Sequence, residues 1–391
     1  MTSPRIFRLA AALIGWTSVG YPGVLWLVAR LRPHPRPVVP SDDALPTVAL
    51  IVPAYAEAEV IADKVRNVRA LAYPRDRLEL VIACDGSTDG TPAAARAAGA
   101  DSVLELPRGG KIAAQDAAVA QTDAEIVAFS DANALWEPGA LRELVAPFAD
   151  PQVGYVCGRV RFVNPDGGSN REGIYWRYEM AIRERESALC SVTAGNGAIY
   201  AVRRSAYVRV DPVMGHDLKL PFTLVRGGWR AVEAAGARAT ERMVPDVEGE
   251  ARRKRRMQSH AWAIVLRGGL LDPRGWPPAY TAMMVSHRWL RYAAPLLHLV
   301  ALVAAPRRWR RLQLAALAAA AVPAPLTGQD PRGPLARSHA LLRYYVLMQR
   351  STLFGLADHM RHGTDAGWAP PEGTRARIPG VRVAEREASD A

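Results

Sequence analysis

The stretch VALIVPAYAEAEVIADKVRNVRALAYPRDRLELVIACDGSTDGT, residues 48–91, decides the fold. Val48 to Val52 is a short apolar run ended by Pro53. Glu57 to Leu71 carries apolar residues at helical spacing, and Leu80 to Ala83 is a second apolar run ended by Asp85-Gly86-Ser87. This is strand, helix, strand. Downstream, Thr91 to Ala98 reads as helix, Ser102 to Leu106 as strand, Ile112 to Ala120 as helix and Ile126 to Ser130 as strand, with Asp131 directly after it. Such alternation predicts a parallel sheet covered by helices, with ligands gathered at the carboxyl ends of its strands. Asp85 and Asp131 both stand at such ends. Beyond Pro138 the alternation loosens: Val153 to Val163 reads as a long strand, Ile174 to Leu189 as a helix, and Gly195 to Val202 as a strand entered through Gly195 and Gly197. This is the expected place for an acceptor-binding half.

Outward from this core the chain turns apolar and basic. Leu9 to Ala29 holds no charged residue, and ~20 apolar residues are what a helix needs to cross a hydrocarbon core. A cleaved signal peptide is disfavoured, because the apolar part is too long and no small-x-small site separates it from Arg30. Pro33, Pro35, Pro37, Pro40 and Pro46 then make an extended linker. Toward the other end, Glu250 to Arg267 sets a basic cluster beside Trp262, Ile264, Val265 and Leu266. That pattern suits a helix at an anionic membrane surface, with a solvated basic helix as the alternative.

Ala293 to Ala305 and Leu312 to Leu326 are each shorter than the ~17 residues a span needs. In a spanning hairpin the Arg307-Arg308-Trp309-Arg310-Arg311 cluster between them would face outside, against the positive-inside rule. A shallow or tilted hairpin, or one packed on the domain, is expected. Leu341 to Leu356 carries Arg343 and Arg350 and reads as interfacial, and the tail from Gly363 as mobile. The expected divisions are an anchor over 1–31, a linker over 32–46 and a transferase domain over 47–247. A basic interfacial region over 248–291, membrane-associated helices over 292–361 and a tail over 362–391 complete them.

A chain of 391 residues with a net charge of +12 holds one large domain with appendages, and its charge suits nucleic acid, acidic lipid or phosphorylated substrates. The basic residues lie beside apolar segments without the aromatic interleaving of an RNA-binding sheet, so no nucleic-acid partner is expected. Cys84, Cys157 and Cys190 are too few and too scattered for a disulfide framework or a zinc site, which points to a reducing compartment. No G-x-G-x-x-G follows the first strand, and Gly109-Gly110-Lys111-Ile112 lacks the spacing of a P-loop.

Two acidic motifs carry chemistry. In Cys84-Asp85-Gly86-Ser87-Thr88-Asp89-Gly90 the glycines allow a tight turn, and the Asp85 carboxylate can accept hydrogen bonds from a base or ribose. Asp131-Ala132-Asn133 offers hard oxygen of the kind Mg²⁺ or Mn²⁺ takes when a diphosphate supplies the remaining ligands. Each alone reads equally as a turn or a helix cap.

Their order resembles the family-two glycosyltransferases. Ile51-Val52-Pro53-Ala54-Tyr55-Ala56-Glu57 matches the family's opening strand and turn, and Asp85 to Thr91 its base and ribose loop. Gly110-Lys111 matches its phosphate-side pair, and Ser130-Asp131-Ala132-Asn133 its metal motif. Tyr175 to Glu179, Gly197 to Arg204 and Ser286 to Tyr292 are similar to it as well.

The resemblance implies an α/β GT-A fold, a Rossmann-like mixed sheet flanked by helices, to which the apolar segments add an N-terminal transmembrane helix and C-terminal membrane-associated helices. It also implies an inverting mechanism and a cytosolic active site at the plasma membrane. Pro53, Tyr55, Glu57, Asp85, Ser87, Lys111, Asp131, Arg253 and Arg256 would bind the nucleotide sugar. Asp131 and Asn133 would hold Mg²⁺ or Mn²⁺, Gly195, Asn196, Gly197 and Trp262 would face the acceptor, and Asp217 would be the catalytic base.

Some positions depart from the family pattern. His216 stands where an acidic residue usually precedes the base; it could tune Asp217, approach the metal or cap a helix, and capping is the favoured reading. Ala261 replaces the arginine of the processive Gln-x-x-Arg-Trp box, which puts processive synthesis in doubt. Arg253-Lys254-Arg255-Arg256 resembles instead a basic element that could hold a diphosphate, and Asn196 replaces an acceptor-side aspartate. The expected activity is transfer from a nucleotide sugar, a UDP-sugar by preference, to a lipid-linked or saccharide acceptor in polysaccharide or glycolipid synthesis at an anionic membrane. A polyprenyl-phosphate glycosyl synthase and a catalytically dead tethered binding protein are the alternatives.

Overall fold

The computed structural model describes residues 3–31, 38–163, 173–242, 247–322 and 333–367. Residues 32–37 of the expected linker, 323–326 of the second C-terminal apolar segment and the tail from 368 lie outside them. The chain divides into two compact units. A sheet unit holds Pro35–Pro165, Ala194–Gly249 and Asp365–Ala391, and a helical unit holds Met1–His34, Asp166–Thr193 and Glu250–Thr364.

The sheet unit is built on eight strands: β1 Val48–Ala54, β2 Leu78–Asp85, β3 Ser102–Leu106, β4 Ile126–Phe129, β5 Leu135–Trp136, β6 Val153–Val163, β7 Tyr200–Arg203 and β8 Arg230–Arg242. Their order is β3-β2-β1-β4-β7-β6-β8-β5. The strands β1 to β4 run parallel, as the alternation predicts. β7 pairs antiparallel with both β4 and β6 and turns the sheet mixed. All of β1 is buried, which is why it reads as an unbroken apolar run rather than an alternating one.

Register places the chemistry. Ala54 pairs with Cys84 and Asp85 with Leu106, so the turns after β1, β2 and β3 emerge side by side. Phe129 pairs with Tyr200, which brings the segment after β4 next to the loop that enters β7. That loop was expected to be strand from Gly195. It stays irregular to Ile199 because the Asn196 side chain takes the Ala198 and Ile199 N–H groups, at 3.2 and 2.9 Å, that a ladder would need. The long strand β8 and the short β5 have no counterpart in the sequence reading.

In the helical unit, Pro4–Leu31 is one run of 28 residues, long and apolar enough to cross a membrane. Its middle widens to a π-turn over Trp16–Gly20. The run is held by Trp16 Nε1 donating to Ser286 Oγ and Tyr178 O–H donating to the Ser18 carbonyl. The apolar segment expected from Ala293 is longer than its composition suggested. Helix, π-turn and helix follow without a break from Pro278 through Leu290 to Ala304.

The arginine cluster is not a link between two helices, as was expected. Arg307 opens the helix Arg307–Ala321, because Pro306 sets the N-cap dihedrals and the following residues all sustain a helix. The last helix, Pro334–His362, exceeds the expected segment at both ends. Of the tail expected from Gly363, Thr364 Oγ1 bonds Ser259 Oγ at 2.8 Å and His359 Nδ1 at 2.7 Å.

Candidate active site

Three strand ends converge in the sheet unit. After β1, Tyr55 lies under the Arg108 guanidinium, 3.3 Å from its ring centroid. Ser87 Oγ accepts the Ala56 N–H at 3.2 Å, Thr91 Oγ1 accepts the Glu57 N–H at 3.0 Å, and Asp89 accepts the Ala58 N–H at 3.1 Å. The Asp85 to Thr91 loop is thereby stitched to the turn after Pro53, where Ala56 takes a left-handed φ of 53°. Pro53 and Glu57 are buried scaffold of this turn.

Asp85 was expected to grip a nucleoside. Its carboxylate instead pairs with Arg108 and accepts the N–H of Gly109 at 2.6 Å and of Gly110 at 3.0 and 3.1 Å. These contacts occupy the roughly four acceptor sites a carboxylate offers. Asp85 therefore fixes the loop that presents Arg108 and Lys111. Gly110 has φ +93°, and a Cβ there would overlap the Ala366 carbonyl, so glycine is required twice over.

After β4, Asp131 pairs with Lys111. Burial works against the Lys111 charge, but Asp131, then Asp217 and Glu241, outweigh it and raise its pKa. Asp131, Lys111 and Asp217 therefore form one electrostatic cluster. Asp217 opens the helix His216–Arg226, and its carboxylate has no hydrogen-bond partner among the described residues, which leaves it able to take a proton. Its backbone carbonyl accepts the Gly195 N–H at 2.7 Å, tying the glycine turn to the helix start. A Cβ at Gly195 would overlap the Tyr155 hydroxyl. Asn196 is buried and structural, with Nδ2 donating to the Gly158 carbonyl at 2.6 Å. Gly197 lies next to Lys111.

The capping role expected of His216 is not what the structure gives. Gly215 holds the N-cap position without a side-chain bond, and the His216 ring turns inward, 2% exposed, against Phe129 and Tyr207. Its Nδ1 lies 2.8 Å from the Tyr200 hydroxyl, which accepts Gln115 Nε2 at 3.1 Å. Burial, with the Lys111 ammonium second, pushes its pKa down to about 3, so the ring is neutral. Its Nε2 has no partner among the described residues.

No group of three His, Cys, Asp or Glu side chains converges among the described residues. A diphosphate-bound Mg²⁺ or Mn²⁺ needs only one or two protein ligands, however, and the residues fit that lower count. Asp131 supplies a carboxylate. His216 Nε2, without a partner among the described residues, would add a nitrogen in the tautomer that donates Nδ1–H to Tyr200. Asn133, in the turn closed by Ala134 N–H to the Asp131 carbonyl at 3.2 Å, is part-exposed.

The sequence reading passed over Lys64. It is fully buried, donating to Ser130 Oγ at 2.7 Å and the Ala134 carbonyl at 2.6 Å, and so holds the Asp131 turn from below. Its signal was a lysine on the stripe shared by Ile61, Val65 and Val68. Arg108 was passed over as well. Arg253, Arg256 and Trp262 belong to the helical unit. Trp262 is 6% exposed, with Nε1 donating to the Thr352 carbonyl at 2.8 Å and its ring edge-on to Tyr292. It is packed into that unit's core. Arg253 and Arg256 are part-buried, and burial followed by the Arg253 charge lowers the pKa of Arg256.

Residues 49–210 match the profile of the family described as Glycosyl transferase family 2. The chain is 31% identical over 133 residues to glycosyltransferase AglE of Haloferax volcanii, covering 33% of this chain and 44% of that protein. It is 34% identical over 153 residues to a beta-monoglucosyldiacylglycerol synthase of Synechocystis, covering 34% of this chain and 30% of that protein. The chain thus spans less than half the length of these two relatives. Among solved structures, a mannosyltransferase from Pyrobaculum calidifontis in complex with GDP-Man and Mn²⁺ superposes with a TM-score of 0.66 at 26% identity. That match covers 91% of this chain and 99% of the other. The mixed sheet flanked by helices is accordingly of the GT-A type.

Proposed function

We propose that this chain, a member of glycosyltransferase family 2, moves a sugar from a nucleoside-diphosphate donor to an acceptor hydroxyl or phosphate at a membrane, with inversion at the anomeric carbon. One observation carries the reading: the unpartnered Asp217 carboxylate and the Lys111–Asp131 pair form one charge cluster at the carboxyl ends of the parallel strands. Asp217 takes the acceptor proton as the new bond forms. Lys111, a mobile ammonium held by Asp131 in the free protein, neutralises the departing diphosphate. A divalent cation, when bound by Asp131 and the His216 nitrogen with Asn133 beside them, would add charge stabilisation at the same leaving group. Asp85 and the Arg108 to Lys111 loop frame the nucleotide, and the stack of Arg108 on Tyr55 supplies a flat cationic surface for a base or its carbonyl edge.

A UDP-sugar is the donor favoured from the sequence. GDP-mannose is the second reading, supported by the Pyrobaculum mannosyltransferase. The Synechocystis relative supports a lipid acceptor. The apolar helix Pro4–Leu31 supports attachment to the plasma membrane, with the transferase domain in the cytosol where nucleotide sugars are made. Arg253 and Arg256 are assigned to the donor diphosphate or anionic lipid. The test is to offer membranes carrying the protein labelled UDP- and GDP-sugars and to divide the products into lipid, polymer and free sugar. Hydrolysis to free sugar alone, or no consumption of any donor, would overturn the proposal.

A further inference from the structure

Gln115 stands one turn after Lys111 on the helix Lys111–Val119 and is 0% exposed. Its Nε2 lies 3.1 Å from the Tyr200 hydroxyl, whose other hydrogen-bonding neighbour is His216 Nδ1 at 2.8 Å. Gln115 Oε1 and His216 Nε2, the two outer ends of this line, have no partner among the described residues. Phe129 stacks on the Tyr200 ring at 4.8 Å and meets the His216 ring edge-on at 5.7 Å. All four residues belong to the sheet unit.

A hydroxyl carries one proton, and a neutral imidazole has one N–H and one acceptor nitrogen. Only two arrangements therefore make both contacts hydrogen bonds and use the Tyr200 proton. In the first, Gln115 Nε2–H donates to the Tyr200 oxygen and Tyr200 O–H donates to Nδ1, which leaves the His216 proton on Nε2. In the second, the amide is turned so that Oε1 accepts Tyr200 O–H, the Tyr200 oxygen accepts Nδ1–H, and Nε2 holds a bare lone pair. If both neighbours donated to Tyr200, its own O–H would be stranded at a residue 1% exposed, which is disfavoured. Each of the two arrangements leaves one amide atom of Gln115 unpaired, so neither is preferred on that count, and a ligand at Nε2 decides between them. Only the second can ligate a cation.

We propose that Gln115 and Tyr200 are positioning residues that set the tautomer of His216, the first arrangement belonging to the free chain and the second to the cation-bound one. The Gln115 amide nitrogen faces Tyr200 in the structure, as the first arrangement requires. The change moves one proton from Nε2 to Nδ1 by exchange with water, turns one hydroxyl and one amide, and leaves the net charge as it was. Asp131 follows Phe129 by two residues, and Phe129 lies against both Tyr200 and His216, so this line of groups borders the turn that carries the carboxylate. It also shares a helix with Lys111, the ammonium that Asp131 holds in the free chain. The inference rests on the reading of Asp131 and His216 as cation ligands.

Mn²⁺ binding to the full chain in detergent, without any nucleotide sugar, is followed by electron spin resonance of the free ion. Nitrogen NMR of the histidine-labelled chain, with and without Zn²⁺ as a diamagnetic stand-in, reads which ring nitrogen of His216 is protonated; its signals are those missing from His216→Asn. The expected result is a proton on Nε2 in the free chain and on Nδ1 once Zn²⁺ is bound. Tyr200→Phe, which keeps the stack on Phe129, should weaken Mn²⁺ binding by about 10- to 100-fold, the usual effect of losing the partner of a metal-bound histidine. Gln115→Met, which fills the space but offers no acceptor, should move affinity in the same direction. A His216 tautomer that does not change when Zn²⁺ is added overturns the proposal whether or not the variants fold. So do Tyr200→Phe and Gln115→Met chains that bind Mn²⁺ like the unaltered protein while His216→Asn loses affinity. His216→Asn with unchanged Mn²⁺ affinity is a different failure, since it removes the reading of His216 as a ligand on which the inference stands.

Discussion

Replacing Asp85 with asparagine tests whether this carboxylate serves the nucleotide or the loop. In the structure it is 2% exposed, pairs with Arg108 and takes N–H groups from Gly109 and Gly110. Asp85→Asn removes the charge and turns one acceptor into a donor that opposes Arg108 or the Gly110 N–H. Breaking a buried ion pair costs ~3–5 kcal/mol, and the lower end applies here because Arg108 can rehydrate. Its side chain keeps 35% of its surface exposed. The expected loss of stability is therefore about 3 kcal/mol. Arg108→Gln leaves the two backbone bonds intact and should cost about 1 kcal/mol, and the pair should couple by ~0.5–3 kcal/mol in a double-mutant cycle. The assay is thermal or denaturant unfolding of the solubilised full chain for all four proteins, beside titration with UDP and GDP. If Asp85→Asn unfolds like the wild type, within the ~0.5 kcal/mol expected of a neutral surface change, while losing nucleotide affinity, the carboxylate contacts the nucleotide directly and the loop-holding argument is wrong.

Asp217→Asn keeps shape but cannot take the acceptor proton, so turnover at saturating donor should fall by about 10² to 10⁴ with donor affinity little changed; near-normal turnover would move the base elsewhere, with Asp211 the nearest candidate in sequence. Chelation should abolish transfer. Because imidazole favours borderline cations, Mn²⁺ should restore activity better than Mg²⁺, and His216→Asn should erase that preference in a direct Mn²⁺-binding titration. Lys64, whose pKa burial lowers to about 7, should make the wild type gain stability relative to Lys64→Met as pH rises from about 7 toward 10.5. In that window the unfolded chain binds the proton that the folded chain has lost, and a stability difference that stays flat in unfolding scans would refute the shift. Membranes washed with high salt and then alkaline carbonate should retain the protein through Pro4–Leu31, and release by salt alone would leave only the basic surface holding it.

What the sequence made legible follows from period and punctuation. The parallel strands β1 to β4 read correctly because each is a short, largely apolar run followed closely by Pro, Gly or Asp. Asp85 and Asp131 could be placed because strand ends are local features, whereas Asp217 was singled out only through the family resemblance. The long strand β8 was not found, since RAVEAAGARATER is rich in alanine and charge and owes its extended form to its parallel partner β6. The continuity from Pro278 to Ala304 was hidden because the intervening π-turn over Met284–Trp289 carries a histidine and an arginine that composition reads as a break.

The residues that sequence reading missed share one physical trait, that their partners are remote in the chain. Lys64 finds Ser130 and Ala134, Arg108 finds Asp85 and Tyr55, and Arg288 finds Thr193. Each is a cation whose charge is costly to bury, and each stands beside an element that carries a candidate site residue or leads into one. Lys64 meets two acceptor oxygens and Arg108 a carboxylate and a ring, so both are satisfied within the fold. Arg288 has the Thr193 hydroxyl, with the charges of Glu186 and Glu179 acting on it as well. Lys64 is on that ground assigned to the scaffold, whereas Arg108 pairs with Asp85 and at the same time lays its guanidinium over Tyr55, so its replacement should reach both stability and nucleotide affinity.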